Sequence, residues 1–412
     1  MQNLEFMELK KYKLGNCFQM AENGLVVKQT KEAKGMPITR IETLSNDCFN
    51  RDRLGYGNIF DEKKISHYIL DDKDLIISHI NSRTFLGRTV LYRKRNNEKI
   101  IHGMNVLRVK TNPNILDPIF AFYLFRTKLF KRHIDNIRKD AINQSSFALS
   151  DLKNIELYIP TVKEQNEIAN ALQLLDAKID LNRQINDNLE AMAKQLYDYW
   201  FVQFDFPNEE EKPYKSSGGA MVWNEKLKRK IPQDWSTLPI SAILDKYPTT
   251  KRYETKEYLS QGKYPIIDQG DTYIVGYTNE DDNLLTRHPA VLFGDHSTKV
   301  KFLDFDFARG ADGTQILYSS NDAVSQYYLY LAVSTLQIPN PGYSRHFKYL
   351  KELPIVIPSL SIAIKFANIV KPLFKKWTNN IFNNIVLTKQ RDELLPLLMN
   401  GQVSVNYHLS DD

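Results

Sequence analysis

The chain has 412 residues, a length that suggests two or three domains rather than one. Apolar residues make up 42% of the sequence and aromatic residues 11%, which is enough for hydrophobic cores and excludes a disordered chain. The 55 Lys and Arg exceed the 49 Asp and Glu by a net charge of +6, a mild excess that permits a polyanionic partner without requiring one.

Three features of the sequence indicate the cellular compartment: the cysteines, the N-terminal residues and the longest uncharged stretch. Only Cys17 and Cys48 are present, too few for a disulfide framework or a cysteine-based zinc site. The opening residues MQNLEFMELKKYKLGN lack the apolar run of a secretory signal. The stretch between Asp322 and Arg345 is too polar to span a bilayer. We therefore expect a cytoplasmic protein with no membrane partner.

The first half of the chain reads as a globular unit followed by a long helix. Residues 1–155 contain the strand patterns DLIISHI and GRTVLYRKR and a helical stretch near Pro118–Ile137. Residues 156–204 open on the strand ELYIP, where proline ends the strand, and continue as a helix. Residues 205–221 are rich in Pro, Glu, Ser and Gly, which predicts a linker.

The second half repeats this order. Residues 222–353 contain strands in YPIIDQGDTYIVGYTN and AVLFGDHSTKVKFLDFDF and a helical run near Ala323–Leu336. Residues 354–400 open on the strand PIVIP and continue as a second long helix, and residues 401–412 are a tail. The pattern predicts an α/β fold with two globular units and two long helices.

The second strand and helix repeat the first ones 198 residues later. Aligning Pro160 with Pro358 sets this offset, which then holds without a gap. It pairs identical residues further along: Ala169-Asn170 with Ala367-Asn368, Asn182 with Asn380, and Asn186 with Asn384. A repeat of this length predicts a pseudo-twofold relation between the two halves.

Apolar residues in both helices recur at alternating spacings of four and three, the seam of a coiled coil. For one helix alone, packing on a core would explain such a stripe equally well, but two matched copies favour pairing with each other. Because the second globule starts at the end of one helix and ends at the start of the other, we expect an antiparallel pair, a strut about 57 Å long that separates the globules. The seam positions are Ile168, Leu172, Leu175, Ile179, Asn182, Asn186, Leu189, Phe366, Val370, Leu373, Trp377, Asn380, Asn384 and Leu387.

Aromatic residues near the helices exceed what a two-helix seam can bury. Such a surplus indicates packing on another protein, although contact with the neighbouring globule explains the first cluster equally well. The first cluster is Tyr197, Tyr199, Trp200, Phe201 and Phe204, and the second helix carries Phe374, Trp377 and Phe382.

These parts and their order resemble the specificity subunit of type I restriction–modification systems. The segment IPTVKEQNEIANALQLLDAKIDLNRQINDNLEAMAKQLYDYWFVQFDF and the C-terminal echo ending TKQRDELLPLLMNGQVSV are similar to the family's repeated conserved regions. DLIISHINSRTFLGRTVLY is similar to a first recognition domain, and IPQDW, GKYPIIDQGDTYIVGY and VLFGDHSTKVKFLDFDF to a second. The resemblance covers nearly the whole chain and departs where Glu164–Gln165 becomes Ile362–Ala363 in the second repeat.

The resemblance implies a non-catalytic, sequence-specific DNA-binding subunit. Residues 1–155 and 222–353 would be target-recognition domains 1 and 2, each reading one half of a bipartite asymmetric site. The helices would set the unread spacer and dock two modification subunits, which bind S-adenosylmethionine and methylate adenine. Restriction subunits would join to cleave unmethylated DNA, and no cofactor is expected on this chain.

Cationic and polar side chains in the two globules are the candidate DNA contacts. Loops rich in Arg and Lys contact phosphates, and Arg, Asn and Gln also recognise base edges. For any single one of these residues, a solvated position on the surface is the better explanation. As a group, in domains that resemble DNA-recognition domains, they favour DNA binding. The candidates are Lys31, Lys34, Arg40, Arg51, Arg53, Arg83, Arg88, Arg93, Lys94, Arg95, Asn143, Gln144, Ser145, Lys251, Arg252, His296, Lys299, Lys301, Arg309, Tyr343, Ser344 and Arg345.

No catalytic or metal site is predicted. Asn340-Pro341-Gly342-Tyr343 differs by one residue from the Asn-Pro-Pro-Tyr signature of amino-methyltransferases, but no Gly-rich cofactor loop follows a strand. The segment Gly310–Thr314 lacks the Lys of a P-loop, and the histidines never fall at metal-ligand spacing. Two alternatives stay open: a chain that itself methylates or cuts DNA, and a coiled-coil scaffold that binds only protein.

Overall fold

The computed structural model describes residues 8–32, 34–45, 48–59, 65–142, 144–247, 250–339 and 345–402. The chain divides into two compact units, and the division falls inside two long helices. Unit 1 comprises residues 1–179 and 386–412, and unit 2 comprises residues 180–385. The helices are α1 (Pro118–Leu124), α2 (Lys128–Ile137), α3 (Leu149–Lys153), α4 (Val162–Tyr197), α5 (Ile240–Ile243), α6 (Gln326–Thr335), α7 (Phe347–Glu352) and α8 (Leu360–Met399).

Unit 1 is centred on a four-stranded antiparallel sheet of order β10-β8-β11-β2. Short strands form further small sheets, and the first strand pairs with the last, Lys10 opposite Ile159. The strands are β1 (Lys10–Lys13), β2 (Phe18–Asn23), β3 (Gln29–Thr30), β4 (Met36–Ile38), β5 (Leu44–Ser45), β6 (Cys48–Phe49), β7 (Gly55–Gly57), β8 (Leu75–Ser78), β9 (Ile80–Asn81), β10 (Thr89–Leu91), β11 (Val106–Thr111), β12 (Lys139–Asp140), β13 (Ser145–Ser146) and β14 (Glu156–Ile159).

The central strand β8 is buried at all four positions because both faces of its sheet are covered. Leu75 and Ile77 belong to a core that includes Phe120 of α1 and Phe130 of α2. Ile76, on the opposite face, belongs to a second cluster. Leu398 and Met399, at the end of α8, are also buried in the first core.

Residues Glu164 and Gln165 fix the start of α4. Thr161 donates its backbone N–H to the Glu164 carboxylate at 2.9 Å, as in a capping box. Gln165 is fully buried, and its amide donates to the carbonyls of Ile115 and Pro160 while its oxygen accepts from the backbone of Asp117. The second repeat has Ile362–Ala363 here, so these contacts belong to the first repeat alone.

Unit 2 contains a three-stranded sheet of order β23-β22-β25 and a five-stranded sheet that includes β18, β24, β19, β20 and β21. Its third strand, β17, pairs with its last, β26, with Ser236 opposite Ile357. The strands are β15 (Met221–Asn224), β16 (Arg229–Pro232), β17 (Ser236–Pro239), β18 (Arg252–Tyr253), β19 (Tyr264–Ile267), β20 (Gly276–Thr278), β21 (Leu284–Leu285), β22 (Ala290–Gly294), β23 (Val300–Leu303), β24 (Phe307–Gly310), β25 (Thr314–Leu317) and β26 (Pro354–Ile357).

The first aromatic cluster packs inside unit 2. The ring centroid of Phe201 lies 4.7 Å from that of Tyr328 and 4.8 Å from that of Phe366. The ring of Phe204 contacts that of Trp235. Tyr197, Trp200, Phe201 and Phe204 are all buried in this core, whereas Tyr199 is exposed. Of the two explanations left by the sequence, packing on the neighbouring globule is the one that the structure shows.

The aromatic residues of α8 also contact unit 2. The ring centroid of Phe374 lies 4.4 Å from that of Phe302. The corresponding distances are 5.3 Å from Trp377 to Tyr273 and 4.9 Å from Phe382 to Phe305. Phe382 nevertheless keeps part of its surface exposed. Pro372 does not end α8, which continues from Leu360 to Met399, and Pro372 itself lies on an exposed face of the helix.

Within unit 2, α4 and α8 run antiparallel and meet through asparagines. Asn182 donates to the side-chain oxygen of Asn384 at 2.8 Å, and Asn380 donates to that of Asn186 at 2.8 Å. The 198-residue offset converts one contact into the other, as a pseudo-twofold axis between them requires. Every predicted seam position, from Ile168 to Leu387, is buried or half-buried.

Within unit 1 the two helices are joined by an ion pair. Arg391 of α8 lies 2.7 Å from the Asp176 carboxylate of α4, and the hydroxyl of Tyr123 donates to the same carboxylate at 2.6 Å. The compact units therefore each include part of both helices. The predicted boundaries, which treat each helix as a separate segment, stay a prediction.

Candidate DNA-recognition surfaces

The loop between β8 and β10 is held in place by several hydrogen bonds. Gly87, at φ +80°, donates its N–H to the Ser78 carbonyl and closes the loop at its base. Lys131 of α2 donates to the carbonyls of Arg83 at 3.0 Å and Leu86 at 3.1 Å. This anchoring leaves the Arg83 side chain exposed at the loop surface.

A second segment of unit 1 is held against this loop. Strand β13 pairs with β9, which places Ser145 opposite Asn81. Ser145 is buried and donates its hydroxyl to Asp140 at 2.6 Å, whereas Gln144 beside it is exposed. The structure thus brings Arg83, Gln144 and Ser145 to one part of unit 1, and Asn143 lies outside the described residues.

Other unit 1 candidates gather at the opposite end of β10. Arg51 donates through Nε to the Glu98 carboxylate at 2.9 Å, which holds the pKa of Glu98 at about 2. Arg51 also donates to the carbonyl of Arg93, and Arg95 donates its backbone N–H to Glu98. Arg93, Lys94 and Arg95 have exposed side chains on this turn. Because β10 separates this turn from the Arg83 loop, the predicted cations of unit 1 form more than one group.

The remaining unit 1 candidates occupy different settings. Arg40 lies 3.3 Å from Glu42, and Lys34 lies 3.1 Å from Glu32, both at the surface. The guanidinium of Arg88 stacks on Phe85 with 4.3 Å to the ring centroid and donates to the Leu44 carbonyl. The side chains of Lys31 and Arg53 are exposed.

In unit 2 the hairpin between β22 and β23 presents two candidates. His296 and Lys299 are exposed on its turn, where Thr298 adopts φ +56°. Lys299 lies 2.9 Å from the Asp271 carboxylate of the loop that follows β19. Gln269 from the same loop accepts the backbone N–H of His296 at 2.9 Å.

Two further loops of unit 2 reach this turn. Gln269 donates its amide to the carbonyl of Asp312 at 2.7 Å, and the Asp312 carboxylate lies 2.6 Å from Arg252. Phe347 donates its N–H to the Asp295 carboxylate, which brings exposed Arg345, two residues earlier, to the same side. Tyr343, Ser344 and the Asn340–Tyr343 segment lie outside the described residues.

Lys301 and Arg309 are buried, unlike the other cations of unit 2. Lys301 donates to the carbonyls of Asp268 at 2.8 Å and Thr272 at 2.6 Å, and burial lowers its pKa to about 8. Arg309 donates to the Tyr247 hydroxyl and the Thr250 carbonyl, and burial lowers its pKa as well. Both side chains support loops from inside the unit. Lys251 lies 2.9 Å from Glu257 at the surface.

Gln269 and Asp295 organise these loops, but neither is among the candidates that the sequence predicted. The available signal was position, because Asp295 directly follows the buried strand β22 and Gln269 lies two residues beyond the end of β19. A polar residue just beyond a buried strand lies in a loop, where it can contact neighbouring loops.

The chain belongs to the family of type I restriction modification DNA specificity domains, whose model matches residues 7–191 and 232–386. The two matched segments cover most of the chain and carry the two copies of the repeat. The family assignment by resemblance is therefore confirmed.

Curated relatives agree with this family. The MjaX specificity subunit of Methanocaldococcus jannaschii is 33% identical over 231 residues, 55% of this chain and 50% of that protein. The MjaIX specificity subunit of the same organism is 27% identical over 313 residues, 69% of each chain. The chain thus spans half of the first relative and about two thirds of the second. The alternatives of a methyltransferase or endonuclease and of a protein-only scaffold find no support among these relatives.

The fold also matches a solved structure. The S subunit of a type I restriction-modification system from M. genitalium aligns with a TM-score of 0.55 at 17% identity, over 97% of this chain and 98% of that one. At this identity the match shows the fold alone, and it confirms the predicted α/β class with its long helices. No helix in the described part of the chain has the length and apolarity needed to span a bilayer.

Proposed function

We propose that the chain is the DNA-reading subunit of a type I restriction–modification complex. Each unit reads one half of a bipartite asymmetric site, and α4 with α8 sets the length of the unread spacer. The observation that carries this proposal is the repeat: both units share one scaffold, but their exposed loops differ in sequence and anchoring. Two different readers on one repeated scaffold suit a site with two different halves.

We assign one group of the exposed candidates in each unit to the DNA-facing surface. These are Arg83 and Gln144 in unit 1, and His296, Lys299 and Arg345 in unit 2. Cations at such positions neutralise phosphates, while amide and guanidinium groups suit base edges. Lys301 and Arg309 act behind this surface, because their donors are used by carbonyls and a hydroxyl of the protein.

The chain itself catalyses no reaction in this proposal. Two modification subunits bind S-adenosylmethionine and methylate adenine, and restriction subunits join the complex in the cytoplasm. Apolar side chains outside the helix seam support a protein partner, since exposed apolar surface on long helices favours docking. Leu174 is 64% exposed in unit 1, and Met192 and Ile364 are 55% and 50% exposed in unit 2.

Mapping of methylated adenines tests this function. The chain is expressed with the modification subunit of its own system in a host that lacks other adenine methylation. We expect methylation at one motif with two specified halves and an unread spacer of constant length. A single continuous motif, or the same methylation without the chain, would contradict the proposal.

A second arm tests the absence of catalysis. The purified chain is incubated with DNA and labelled S-adenosylmethionine, with the modification complex as the positive control. We expect label in DNA with the complex only. Methyl transfer by the chain alone would show that it is an enzyme.

A further inference from the structure

Three loops of unit 2 meet at one side chain, that of Gln269. Its oxygen accepts the backbone N–H of His296 at 2.9 Å, and its Nε2 donates to the backbone carbonyl of Asp312 at 2.7 Å. Its own backbone carbonyl accepts the hydroxyl of Ser297 at 2.6 Å. The loop after β19, the β22–β23 turn and the β24–β25 turn are therefore tied together at this point.

The surroundings of Gln269 leave little room for other arrangements. A Cβ added at Gly294 would lie 2.9 Å from the Gln269 Cβ, and one added at Gly313 would lie 2.5 Å from its Nε2. Glycines of both turns therefore pack against the Gln269 side chain. Below it, Lys301 holds the two ends of the Gln269 loop by donating to Asp268 and Thr272.

The side-chain amide of Gln269 both accepts and donates a hydrogen bond. One turn offers a backbone donor and the other a backbone acceptor, so the bridging side chain must accept and donate at once. A Gln amide does this, whereas the carboxylate of Glu only accepts and the side chain of Leu does neither. Both polar atoms of Gln269 have protein partners, so its effect on bound DNA passes through the turns that it joins.

Those turns carry the exposed groups of unit 2. His296 and Lys299 lie on one, and the other presents Asp312, whose carboxylate contacts Arg252 at 2.6 Å. Because base recognition depends on the placement of such groups relative to one another, a bridge between their backbones fixes the recognition geometry.

We propose that Gln269 is a positioning residue that sets the sequence preference of unit 2 by holding the His296 and Asp312 turns in one relative arrangement. This rests on the proposed function, in which unit 2 reads one half-site. The residue acts through the turns and makes no base contact of its own.

The experiment uses the chain in complex with its modification subunit and duplexes in which either half-site carries single base-pair changes. The variants are Gln269→Leu and the isosteric Gln269→Glu, which replaces the donor with a charged carboxylate oxygen. We expect the preference for the correct unit 2 half-site to fall about tenfold at several base pairs, the size of one mismatch penalty. Preference at the unit 1 half-site and the dependence of affinity on salt should not change.

Gln326 offers a matched control in the same unit. Its oxygen accepts the N–H of Ser319 at 3.3 Å and its amide donates to the Leu317 carbonyl at 3.2 Å, the same two-way bridge away from the loop cluster. Gln326→Glu should lower the melting temperature to a similar extent and leave both half-site preferences unchanged. Ser297→Ala, which frees the same turn without altering Gln269, should relax the unit 2 preference in a milder form.

Several outcomes would overturn the proposal. These are unchanged preference in the Gln269 variants, an equal loss at both half-sites, an equal effect of Gln326→Glu, or a switch to a new base at one position, which would indicate direct base reading. If Gln269→Leu fails to fold, Gln269→Glu and Ser297→Ala decide. Absence of any two-part site for the unaltered complex would instead refute the proposed function.

Discussion

Unit 1 and unit 2 share the second half of their secondary structure and differ in the first. Helices α2 and α6 are both ten residues long and start 198 residues apart, and β14 and β26 keep the same offset. Thr127 and Ser325, also 198 residues apart, cap α2 and α6 through their hydroxyls. The central strands β8 and β22, by contrast, start 215 residues apart, so the half that carries Arg83, His296 and Lys299 differs in length between the units.

The two units also stabilise their interiors differently. In unit 1, Arg108 is buried and donates to the Asp74 carboxylate at 2.6 Å, with Asp71 at 3.1 Å. In unit 2 the buried Arg309 donates to neutral oxygens of Tyr247 and Thr250. The two units therefore have matching helices, but they differ in the loops and in the buried charged contacts that precede these helices.

The largest expected effect follows from the buried ion pair. Asp74→Ala removes a buried partner and leaves Arg108 with more distant carboxylates, so unit 1 should lose about 3 kcal/mol of unfolding free energy. Hydrogen exchange of the full chain measures this, because peptides of unit 1 should lose protection while those of unit 2 keep theirs. Asp71→Ala, at an exposed carboxylate, is the control and should change stability by at most about 1 kcal/mol. Equal loss in both units after Asp74→Ala would contradict the comparison.

A smaller effect is expected from buried histidines of unit 1. Burial lowers the pKa of His102 to about 3 and that of His79 to about 4. Because these lie below the ordinary value of about 6.5, the unfolded chain binds protons first as the pH falls. The stability contributed by each neutral imidazole is complete above pH 6.5 and falls towards its folded pKa. At pH 5 each should have lost about 2 kcal/mol.

His102→Gln tests this pH dependence. The unit 1 peptides of the variant should show a shallower loss of protection between pH 6.5 and 5 than those of the unaltered chain. His133→Gln, at a half-buried position of α2, is the control and should retain the full slope. An unchanged slope in the His102 variant would show that this imidazole does not govern the acid response of unit 1.

The features that the sequence predicted well are those encoded by local periodicity. The four-and-three spacing and the 198-residue offset indicated the helices, their seam and the repeat, because a helix brings residues on one stripe to one face. The alternation in YPIIDQGDTYIVGYTN likewise indicated strands. The helix pairing then followed from chain order, and the asparagine contacts agree with it.

The candidate site was harder to predict because its contacts join residues far apart in sequence. Lys301 and Arg309 read as surface cations, but non-local pairing buries them against Asp268, Tyr247 and Thr250. The role of Gln269 depends on three loops that only the folded sheet brings together. Charge alone therefore does not distinguish exposed cations from buried ones, and the DNA-binding role of the candidate segments stays a prediction.

In the proposed function, the helices set the spacing between two different readers, and lengthening both helices together tests this most directly. Insertions after Arg183 and after Phe382 face each other, midway between the Asn182–Asn384 and Asn186–Asn380 contacts, so each pair keeps its partner. One heptad in each preserves the apolar seam and lengthens both helices by about 10.5 Å.

The measurement is the methylation motif produced by this double-insertion chain together with its modification subunit. Since B-DNA rises about 3.4 Å per base pair, we expect the same two half-sites with a spacer about three base pairs longer. The added rotation of roughly a third of a helical turn should make the complex weaker. A heptad in only one helix is the control and should abolish methylation, because the asparagine contacts lose their register. If the double-insertion chain is folded and still methylates sites with the original spacer, the helices do not set the spacing.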